Sequence, residues 1–400
     1  MSASPIVDTA DGLDALVARA RDCEAVALDT EFVWERTYYP GLGLVQVGLG
    51  GEDIALVDAT AGLDLGPLGR LLEDAGVQKV LHDAAQDLQI LARATGATPD
   101  NAFDTQRAAG LVGLPATLSL QDLVEWAVGV RLDKGETRSD WLRRPLTDSQ
   151  VRYAAADVRH LLDARRKILD EAAARGRTAW VEAEMERYDE PALYDEAEVG
   201  DAVDRVKGRG LGRMSGRQRA VLRAVAAWRE REARALDRTR RMVLPDDVLV
   251  AIAERGPRSE DDLRKLKLTD RQVARYADGL LRAVADGAAA EPERVARRGR
   301  PGPDDHRRAA RLLVAQGFLA GRCERGGVDS ALVATKSQLA DLVEAGPDAV
   351  ADAYPGWRYE FVGRDLEALL RGDLAVALDG PDGWPTAAAD GAPGPGRGGA

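Results

Sequence analysis

The chain has 400 residues, a formal net charge of −12 and 45% hydrophobic residues. This length exceeds what one hydrophobic core supports, so we expect two or three domains. The sequence contains no run of about 18 apolar residues, which argues against a membrane span, and its N-terminus lacks the features of a signal peptide. Cys23 and Cys323 lie far apart and form neither a disulfide framework nor a zinc-binding pattern, so we expect a reducing, cytoplasmic setting.

Charge is distributed unevenly along the chain. Residues 205–298 contain 24 Lys and Arg against 14 Asp and Glu, although the whole chain is acidic. A local basic surplus is typical of a segment that binds a polyanion. A solvated, arginine-rich helical face would give the same surplus, so the sequence leaves both interpretations open.

The N-terminal part of the chain mixes predicted strands and helices. Hydrophobic periodicity predicts a helix over residues 11–21 and, after it, strands over 26–32, 42–49 and 54–57. A helix over 67–74, a strand over 77–82 and a helix from residue 84 follow. Elements in this mixed order predict an α/β domain with a mixed β-sheet.

The remainder of the chain is predicted to be mostly helical. Thr147 is an N-cap candidate for a helix that runs through residues 151–162. The predicted domain organisation is an α/β domain over 1–188, a linker over 189–209, a module of four or five short helices over 210–290, a linker over 291–304, a second helical domain over 305–378 and a disordered tail over 379–400.

The run from Val26 to Phe32 carries two carboxylates separated by one threonine. Because side chains alternate faces along a strand, Asp29 and Glu31 are expected on the same side. Two nearby acids are difficult to keep ionised together unless a cation lies between them, and Mg²⁺ prefers such oxygen ligands. An exposed strand with alternating acids would have the same pattern, so this motif needs support from elsewhere in the chain.

Two later motifs supply that support. Asp87 is predicted in the first turns of a helix that follows a strand. Tyr153 and Asp157 are spaced i and i+4, which places them on one face of a helix. A tyrosine and an aspartate so placed are also compatible with a simple buried hydrogen bond, and the small residues 154–156 between them permit close approach of a substrate.

Taken together, Asp29-x-Glu31, Asp87 and Tyr153-x-x-x-Asp157 resemble the three exonuclease motifs of the tyrosine-bearing DEDD superfamily. The stretches 103–106, 132–141 and 144–150 resemble the ribonuclease D family. The resemblance covers about residues 1–185; the basic module is similar to an HRDC domain, and the segment after residue 307 to a second, more divergent HRDC-like unit. These resemblances imply an RNase H-like α/β exonuclease domain followed by all-α HRDC-type domains. They also imply 3′→5′ exonucleolysis of RNA.

The chemistry of the acids agrees with this resemblance. Phosphodiester hydrolysis needs an attacking hydroxide and a stabilised leaving group, which two metals about 3.5–4 Å apart can serve. We expect Asp29, Glu31, Asp87 and Asp157 to hold two divalent ions, Mg²⁺ or alternatively Mn²⁺. Tyr153 is expected to orient the attacking water rather than act as a strong base, because a free phenol has a pKa of about 10.

Other polar residues are weaker candidates. Gln46, Lys134 and Arg138 are predicted substrate contacts, but each is equally compatible with a solvated surface position. His82 is expected to be a structural hydrogen-bonding residue rather than a metal ligand, and Trp141 a core residue.

The sequence therefore predicts a metal-dependent 3′→5′ exoribonuclease that acts on RNA with a free 3′ end, such as a tRNA precursor or another small RNA. No membrane and no nucleotide cofactor are expected. A DNA exonuclease is an alternative, because the same five residues would act on DNA. A non-catalytic RNA-binding scaffold would be expected to lack at least one carboxylate. A helicase would need a Gly-Lys-Ser/Thr phosphate loop, and the chain has no Gly-Lys dipeptide.

Overall fold

The computed structural model describes residues 4–133, 135–136, 139–294, 302–381 and 383–388. The chain divides into two compact units. The first, the sheet unit, comprises residues 1–31, 42–194 and 299–400, and the second, the helical unit, comprises residues 32–41 and 195–298. Within the described ranges, none of the helices is long and apolar enough to cross a membrane.

A mixed β-sheet organises the sheet unit. Its strands are β1 Ile6–Val7, β2 Ala25–Val33, β3 Gly41–Gly50, β4 Asp53–Asp58, β5 Gln78–Leu81 and β6 Ala102–Asp104. They are arranged in the order β1–β4–β3–β2–β5–β6. β1 is parallel to β4, β2 to β5 and β5 to β6, whereas β3 is antiparallel to β4. The predicted mixed α/β fold is thus confirmed, and β2 lies in the interior of the sheet.

Helices connect these strands and pack on them. They are α1 Ala10–Arg21, α2 Gly66–Leu72, α3 Ala84–Thr95, α4 Thr105–Leu111, α5 Leu120–Val128, α6 Asp148–Arg159, α7 Leu161–Ala174 and α8 Thr178–Met185. In β2, Val26, Ala27 and Leu28 are all buried, as expected of a strand covered on both faces. The apolar half of β2 therefore anchors the polar half, which carries Asp29 and Glu31.

The start and the packing of α6 are both set by local sequence. Thr147 and Gln150 form a capping box that satisfies backbone donors of the first turn. Gly48 of β3 permits close packing, since a Cβ there would lie 3.3 Å from Cβ of Ala27 and 3.4 Å from Cβ of Val158. Glycine at this position lets α6 approach the sheet.

The C-terminal helices belong to the same compact unit as the sheet. They are α14 Pro303–Gly326, α15 Ser330–Val333, α16 Lys336–Ala345, α17 Val350–Ala353 and α18 Arg364–Arg371. Asp329 joins them to α4: its N–H donates to the carbonyl of Gly110 over 2.9 Å, and its carboxylate accepts from the N–H of Ala116 over 2.8 Å. Trp180 stacks on Trp357 with ring centroids 5.4 Å apart.

A β-hairpin follows α18 and corrects the predicted start of the tail. β7 Val376–Leu378 pairs antiparallel with β8 Pro385–Ala387, so residue 379 lies inside ordered structure. Because Gly321 of α14 has no side chain, the backbone of Pro385 can contact the helix. Arg325 also donates to the carbonyl of Pro385 over 3.2 Å. The rest of the predicted tail, from residue 389, lies outside the described residues.

The helical unit contains α9 Gly216–Ala235, α10 Arg240–Val243, α11 Asp246–Arg255, α12 Glu260–Arg264 and α13 Asp270–Ala289. α9 and α13 have 20 residues each and are longer than the short helices predicted. The predicted linker 189–209 also needs correction, because Ala202 and Val206 are buried in the core of this unit. They pack there because a 3₁₀ helix over Val199–Arg205 contacts α9.

Candidate active site

Strand β2 and helix α6 bring three of the predicted acids together. Carboxylate oxygens of Asp29, Glu31 and Asp157 all lie within 4.8 Å of one another. Asp29 and Glu31 share a face of β2, as the period of two predicts. Asp157 is buried on α6, at the end of the helix that the Thr147 capping box begins.

The fourth acid, Asp87, approaches from α3. It lies in the first turn of that helix and is buried. The hydroxyl of Thr30 donates to Oδ1 of Asp87, and the charges of Asp87 and Asp157 both raise the pKa of Asp29. All four predicted carboxylates therefore act on one another electrostatically.

Burial and mutual repulsion make this cluster difficult to ionise. Burial, followed by the charges of its acidic neighbours, raises the pKa of Asp29 well above its usual range. The same causes raise the pKa of Glu31 to about 9. Burial raises the pKa of Asp87 and of Asp157 to about 7. Without added positive charge these groups cannot all be ionised at neutral pH.

The donor set fits a hard divalent cation. Every group in the cluster is a carboxylate, the ligand type that Mg²⁺ and Mn²⁺ take in proteins. A bound cation would reverse the repulsion that raises the four pKa values. Asp87 and Asp157 are buried, whereas Asp29 and Glu31 are partly exposed. Ligands from solvent or substrate can therefore complete a coordination shell.

Gln46 is a buried neighbour of the acids. Its side chain is fully buried, and Nε2 donates to Oδ2 of Asp29 over 3.3 Å. Its Oε1 atom is buried and has no hydrogen-bond partner among the described residues. This placement orients Asp29, while a contact of Gln46 with substrate stays a prediction.

Tyr153 lies beside Asp157, as the i, i+4 spacing predicts. A hydrogen bond from the Tyr153 side chain opposes the effect of burial on the pKa of Asp157. The Tyr153 ring lies 6.1 Å from the ring of Trp141, centroid to centroid. Trp141 is buried, as predicted, and so gives the tyrosine a fixed wall to pack against.

Comparison with known proteins agrees with this geometry. Residues 5–173 match the family model of a 3′-5′ exonuclease, and residues 218–284 match that of the HRDC domain. The chain is 35% identical over 365 residues to the ribonuclease D of Desulfotalea psychrophila, covering 90% of this chain and 97% of that protein. It is 36% identical over 379 residues to the ribonuclease D of Gluconacetobacter diazotrophicus, covering 94% and 95%. The chain belongs to the ribonuclease D family.

A solved structure supports the same assignment. Escherichia coli RNase D, described as an exoribonuclease involved in structured RNA processing, is 30% identical and superimposes with a TM-score of 0.78, covering 92% of this chain and 99% of that one. The catalytic core of RRP6 from Trypanosoma brucei is 25% identical with a TM-score of 0.57, covering 71% and 79%. The predicted 3′→5′ exoribonuclease, with an exonuclease sheet and an HRDC domain, is thereby confirmed.

One residue of this ribonuclease D chain that the sequence did not single out for the site is Asp104. Its buried carboxylate accepts from the backbone N–H groups of Asp83 and Ala84, where α3 begins, and caps α4 through Gln106. The hydroxyl of Tyr188 also donates to it. Asp104 thereby fixes the start of the helix that carries Asp87. The only sequence signal was its place within the stretch 103–106.

Arg144 fixes the segment that contains Trp141. It donates to both carboxylate oxygens of Asp58, over 2.6 and 2.7 Å, and to the carbonyl of Trp141 over 2.9 Å. Gly43 allows this approach, because a Cβ there would collide with the Trp141 carbonyl. These contacts hold the wall of the Tyr153 site against the sheet.

The other predicted residues have different outcomes. Both ring nitrogens of His82 are occupied, with Thr105 Oγ1 and the Leu118 carbonyl each 2.9 Å away, and burial lowers its pKa. His82 is therefore a structural residue, as predicted. Lys134 and Arg138 lie outside the described residues.

Proposed function

We propose that this ribonuclease D family member trims the 3′ ends of structured RNAs, tRNA precursors among them. The observation that carries the proposal is the convergence of Asp29, Glu31, Asp87 and Asp157 beside Tyr153. The role of Escherichia coli RNase D in structured RNA processing, at 30% identity, supports this substrate class. A cytoplasmic location stays a prediction that rests on the cysteine pattern.

In this proposal the four acids hold two divalent cations, Mg²⁺ or Mn²⁺. Bound there, such ions lower the pKa of an attacking water and stabilise negative charge on the leaving oxygen. Asp29, Glu31 and Asp157 are the central ligands, since their carboxylate oxygens lie within 4.8 Å of one another. Thr30 and Gln46 orient Asp87 and Asp29 through their hydrogen bonds.

Tyr153 positions the nucleophile in the proposed reaction. Its hydroxyl is tied to Asp157, so it can hold a water molecule next to the metal-binding carboxylates. A phenol has a pKa of about 10, so Tyr153 keeps its proton near neutral pH and cannot serve as the base. An orienting hydrogen bond is the role that suits such a group.

The HRDC domain of the helical unit is proposed to hold the body of the RNA. The excess of Lys and Arg over Asp and Glu in residues 205–298 supports this role. Phosphate contacts made by such residues give affinity without sequence selectivity. This arrangement suits a substrate whose folded body must be held while its single-stranded 3′ end is shortened.

Substitution of the acids tests the catalytic part of the proposal. Asp29→Asn and Asp157→Asn each keep the size of the side chain but remove a charged metal ligand. We expect both to abolish RNA cleavage in Mg²⁺ while the melting temperature stays at or above the wild-type value, because repulsion within the cluster falls. EDTA should abolish wild-type cleavage in the same way. Near-normal activity of Asp29→Asn would refute the metal assignment.

The matched control for these variants is Asp14→Asn. Asp14 is an exposed acid in the sheet unit, so this change alters net charge equally and should leave cleavage unchanged. The substrate class is tested separately with a tRNA precursor that carries a 3′ extension and with DNA of the same sequence. Equal rates on both nucleic acids would refute the preference for RNA.

A further inference from the structure

A cavity lies in the sheet unit, formed by α4, the segment after α8 and the C-terminal helices. Its volume is about 600 Å³. The polar and charged residues that line it include Arg107, Arg187, Thr335, Asp341, Tyr354 and Arg358. None of these residues belongs to the candidate active site.

The three arginines converge on a single buried carboxylate. Glu184 accepts from Nε of Arg107 over 2.9 Å and from Nη2 of Arg358 over 2.7 Å, and Arg187 lies 3.3 Å away. Burial opposes ionisation of Glu184, but the charges of Arg107 and Arg358 lower its pKa below the usual range. One carboxylate therefore partners three guanidinium groups. The other acid at the cavity, Asp341, is exposed and leaves the cluster with net positive charge.

Part of the donor capacity of this cluster is unused. Across the described residues, no hydrogen bond involves Nη1 of Arg107 or Nη1 of Arg358. Arg187 keeps a side chain that is 45% exposed. The guanidinium groups can therefore donate to a further anion without giving up Glu184.

Tyr354 adds an observation that is independent of the arginines. The residue is 3% exposed, and its hydroxyl has no hydrogen-bond partner in the part of the chain that the structure describes. Burial raises its pKa, so the hydroxyl keeps its proton and is a donor. A buried hydroxyl without a partner is costly, and a ligand in the cavity that Tyr354 lines would remove this cost.

We propose that this cavity binds the phosphate group of a nucleotide. Arginine matches phosphate oxygens in charge and geometry, and the tyrosine hydroxyl supplies a neutral donor to the same group. Apolar side chains such as Leu332 and Leu342 line the remaining wall and suit a ribose or a base. The volume lies within the range of about 300–1,000 Å³ for small-ligand sites. The phosphate belongs either to a free mononucleotide or to an RNA strand, and the site is independent of the proposed cleavage reaction.

Calorimetric titration of the full chain in EDTA tests this proposal, because EDTA removes any binding that requires divalent cations. The probes are 5′-AMP, inorganic phosphate, adenosine, and a short oligoadenylate with hydroxyl groups at both ends. We expect Tyr354→Phe to weaken phosphate-dependent binding about tenfold, the effect of losing one hydrogen bond to a charged group. The control is Tyr359→Phe, because the hydroxyl of Tyr359 contacts Glu367 outside the cavity. This variant should bind like wild type.

Each outcome of the titration has a definite meaning. Binding of 5′-AMP but not of oligoadenylate, weakened in Tyr354→Phe, assigns the site to a free mononucleotide. Binding of oligoadenylate with the same loss assigns it to the RNA backbone. Equal binding of adenosine and 5′-AMP, no binding of any phosphate probe, or identical affinities of Tyr354→Phe and wild type would overturn the proposal.

A second variant guards against an indirect effect of the tyrosine. Arg187→Gln removes an exposed guanidinium of the cavity, whereas Arg166→Gln removes one that is 72% exposed and lies elsewhere in the sheet unit. Phosphate affinity should fall severalfold in Arg187→Gln alone. Equal affinities of these two variants would also overturn the proposal.

Discussion

At the scale of single residues, the threonine between the two acids of β2 supports a third acid. Thr30 is buried, and its hydroxyl donates to Asp87 on α3. This hydrogen bond lowers the pKa of Asp87, against the larger effect of burial. Thr30 therefore both orients the carboxylate and favours the ionised form that a cation needs.

Replacing Thr30 with valine removes the hydroxyl and keeps the β-branched shape that suits a strand. We expect kcat to fall about tenfold, as for loss of one hydrogen bond of about 1.5 kcal/mol to a charged group. Thr95→Val at the far end of α3 removes a hydroxyl that donates to Leu91 and serves as the control. Steady-state cleavage of one RNA by both variants is the measurement, and equal kcat values would contradict the role of Thr30.

The proposed role of Tyr153 makes a stronger prediction. Tyr153→Phe keeps the ring beside Trp141 and removes only the hydroxyl. We expect kcat to fall by a factor on the order of 10²–10⁴, the range for a positioned proton-handling group, with little change in RNA affinity. Single-turnover rates and binding measured on the same RNA separate the two effects. A variant that loses affinity but cleaves normally at saturation would show that Tyr153 binds substrate instead.

How far the sequence predicts this site depends on how local the contacts are. Spacing on one strand predicts that Asp29 lies near Glu31, and spacing on one helix predicts that Tyr153 lies near Asp157. Asp87 is added to these pairs by the resemblance to the exonuclease motifs. Thr30, by contrast, contacts a residue 57 positions away. Asp104 acts on the backbone of a helix about 20 positions away. Such contacts exist only once the sheet has formed, and no local pattern marks them.

At the scale of elements, the strands and helices predicted between residues 11 and 84 are close to those of the structure, whereas α9 and α13 are longer than predicted and the connecting segments differ. Caps and amphipathic periodicity mark helices such as α6 and α13. Residues 199–206 bury only isolated side chains, among them Ala202 and Val206, so no period identifies the segment as part of a core. The hairpin of β7 and β8 is similarly short, and its pairing depends on contact with α14 rather than on its own composition.

A buried charge cluster joins two separate segments of the helical unit. Glu230 of α9 is fully buried and accepts from Tyr38 and from Arg240, and Arg234 lies 3.5 Å from it. The Tyr38 ring lies under both guanidinium groups, at 5.7 Å from Arg234 and 4.9 Å from Arg240. Burial alone would raise the pKa of Glu230, but these hydrogen bonds and charges lower it to about 2.

This cluster predicts a pH dependence of stability. Because the pKa of Glu230 is lower in the folded state, its contribution is complete above a pH of about 4.5 and is lost as pH falls towards 2. Glu230→Gln should therefore cost on the order of 3 kcal/mol of unfolding free energy at pH 7, and less at pH 3. Urea unfolding of wild type and variant at both pH values measures this difference. A difference that does not change with pH would contradict the assignment.

At the scale of the whole molecule, the packing of the C-terminal helices determines how the proposed binding of RNA by the HRDC domain is best tested. The C-terminal helices supply Arg358 and Trp357 to Glu184 within the sheet unit. Truncation after the exonuclease domain would therefore remove part of a folded unit along with the HRDC domain. Charge neutralisation in the full chain avoids this problem.

The exposed arginines Arg241, Arg255 and Arg258 of the helical unit are suitable targets, because within the described ranges none of them forms a salt bridge. Their combined change to glutamine should weaken binding of a tRNA-like RNA and reduce its salt dependence. Each lost phosphate contact lowers the slope of log K against log salt by about 0.7–0.9, so three contacts lower it by roughly 2. The kcat on a short unstructured oligonucleotide should remain at the wild-type value.

The control removes the same charge from the sheet unit. It changes three exposed arginines to glutamine: Arg70, Arg131 and Arg166. Both triple variants have the same net charge, so a general attraction of RNA to positive charge would weaken binding equally in the two. If the HRDC domain contacts the RNA, binding would be weaker only in the triple variant of the helical unit. Dissociation constants for structured RNA at two salt concentrations distinguish these cases, and equal constants with equal salt slopes would mean that the helical unit does not hold the RNA.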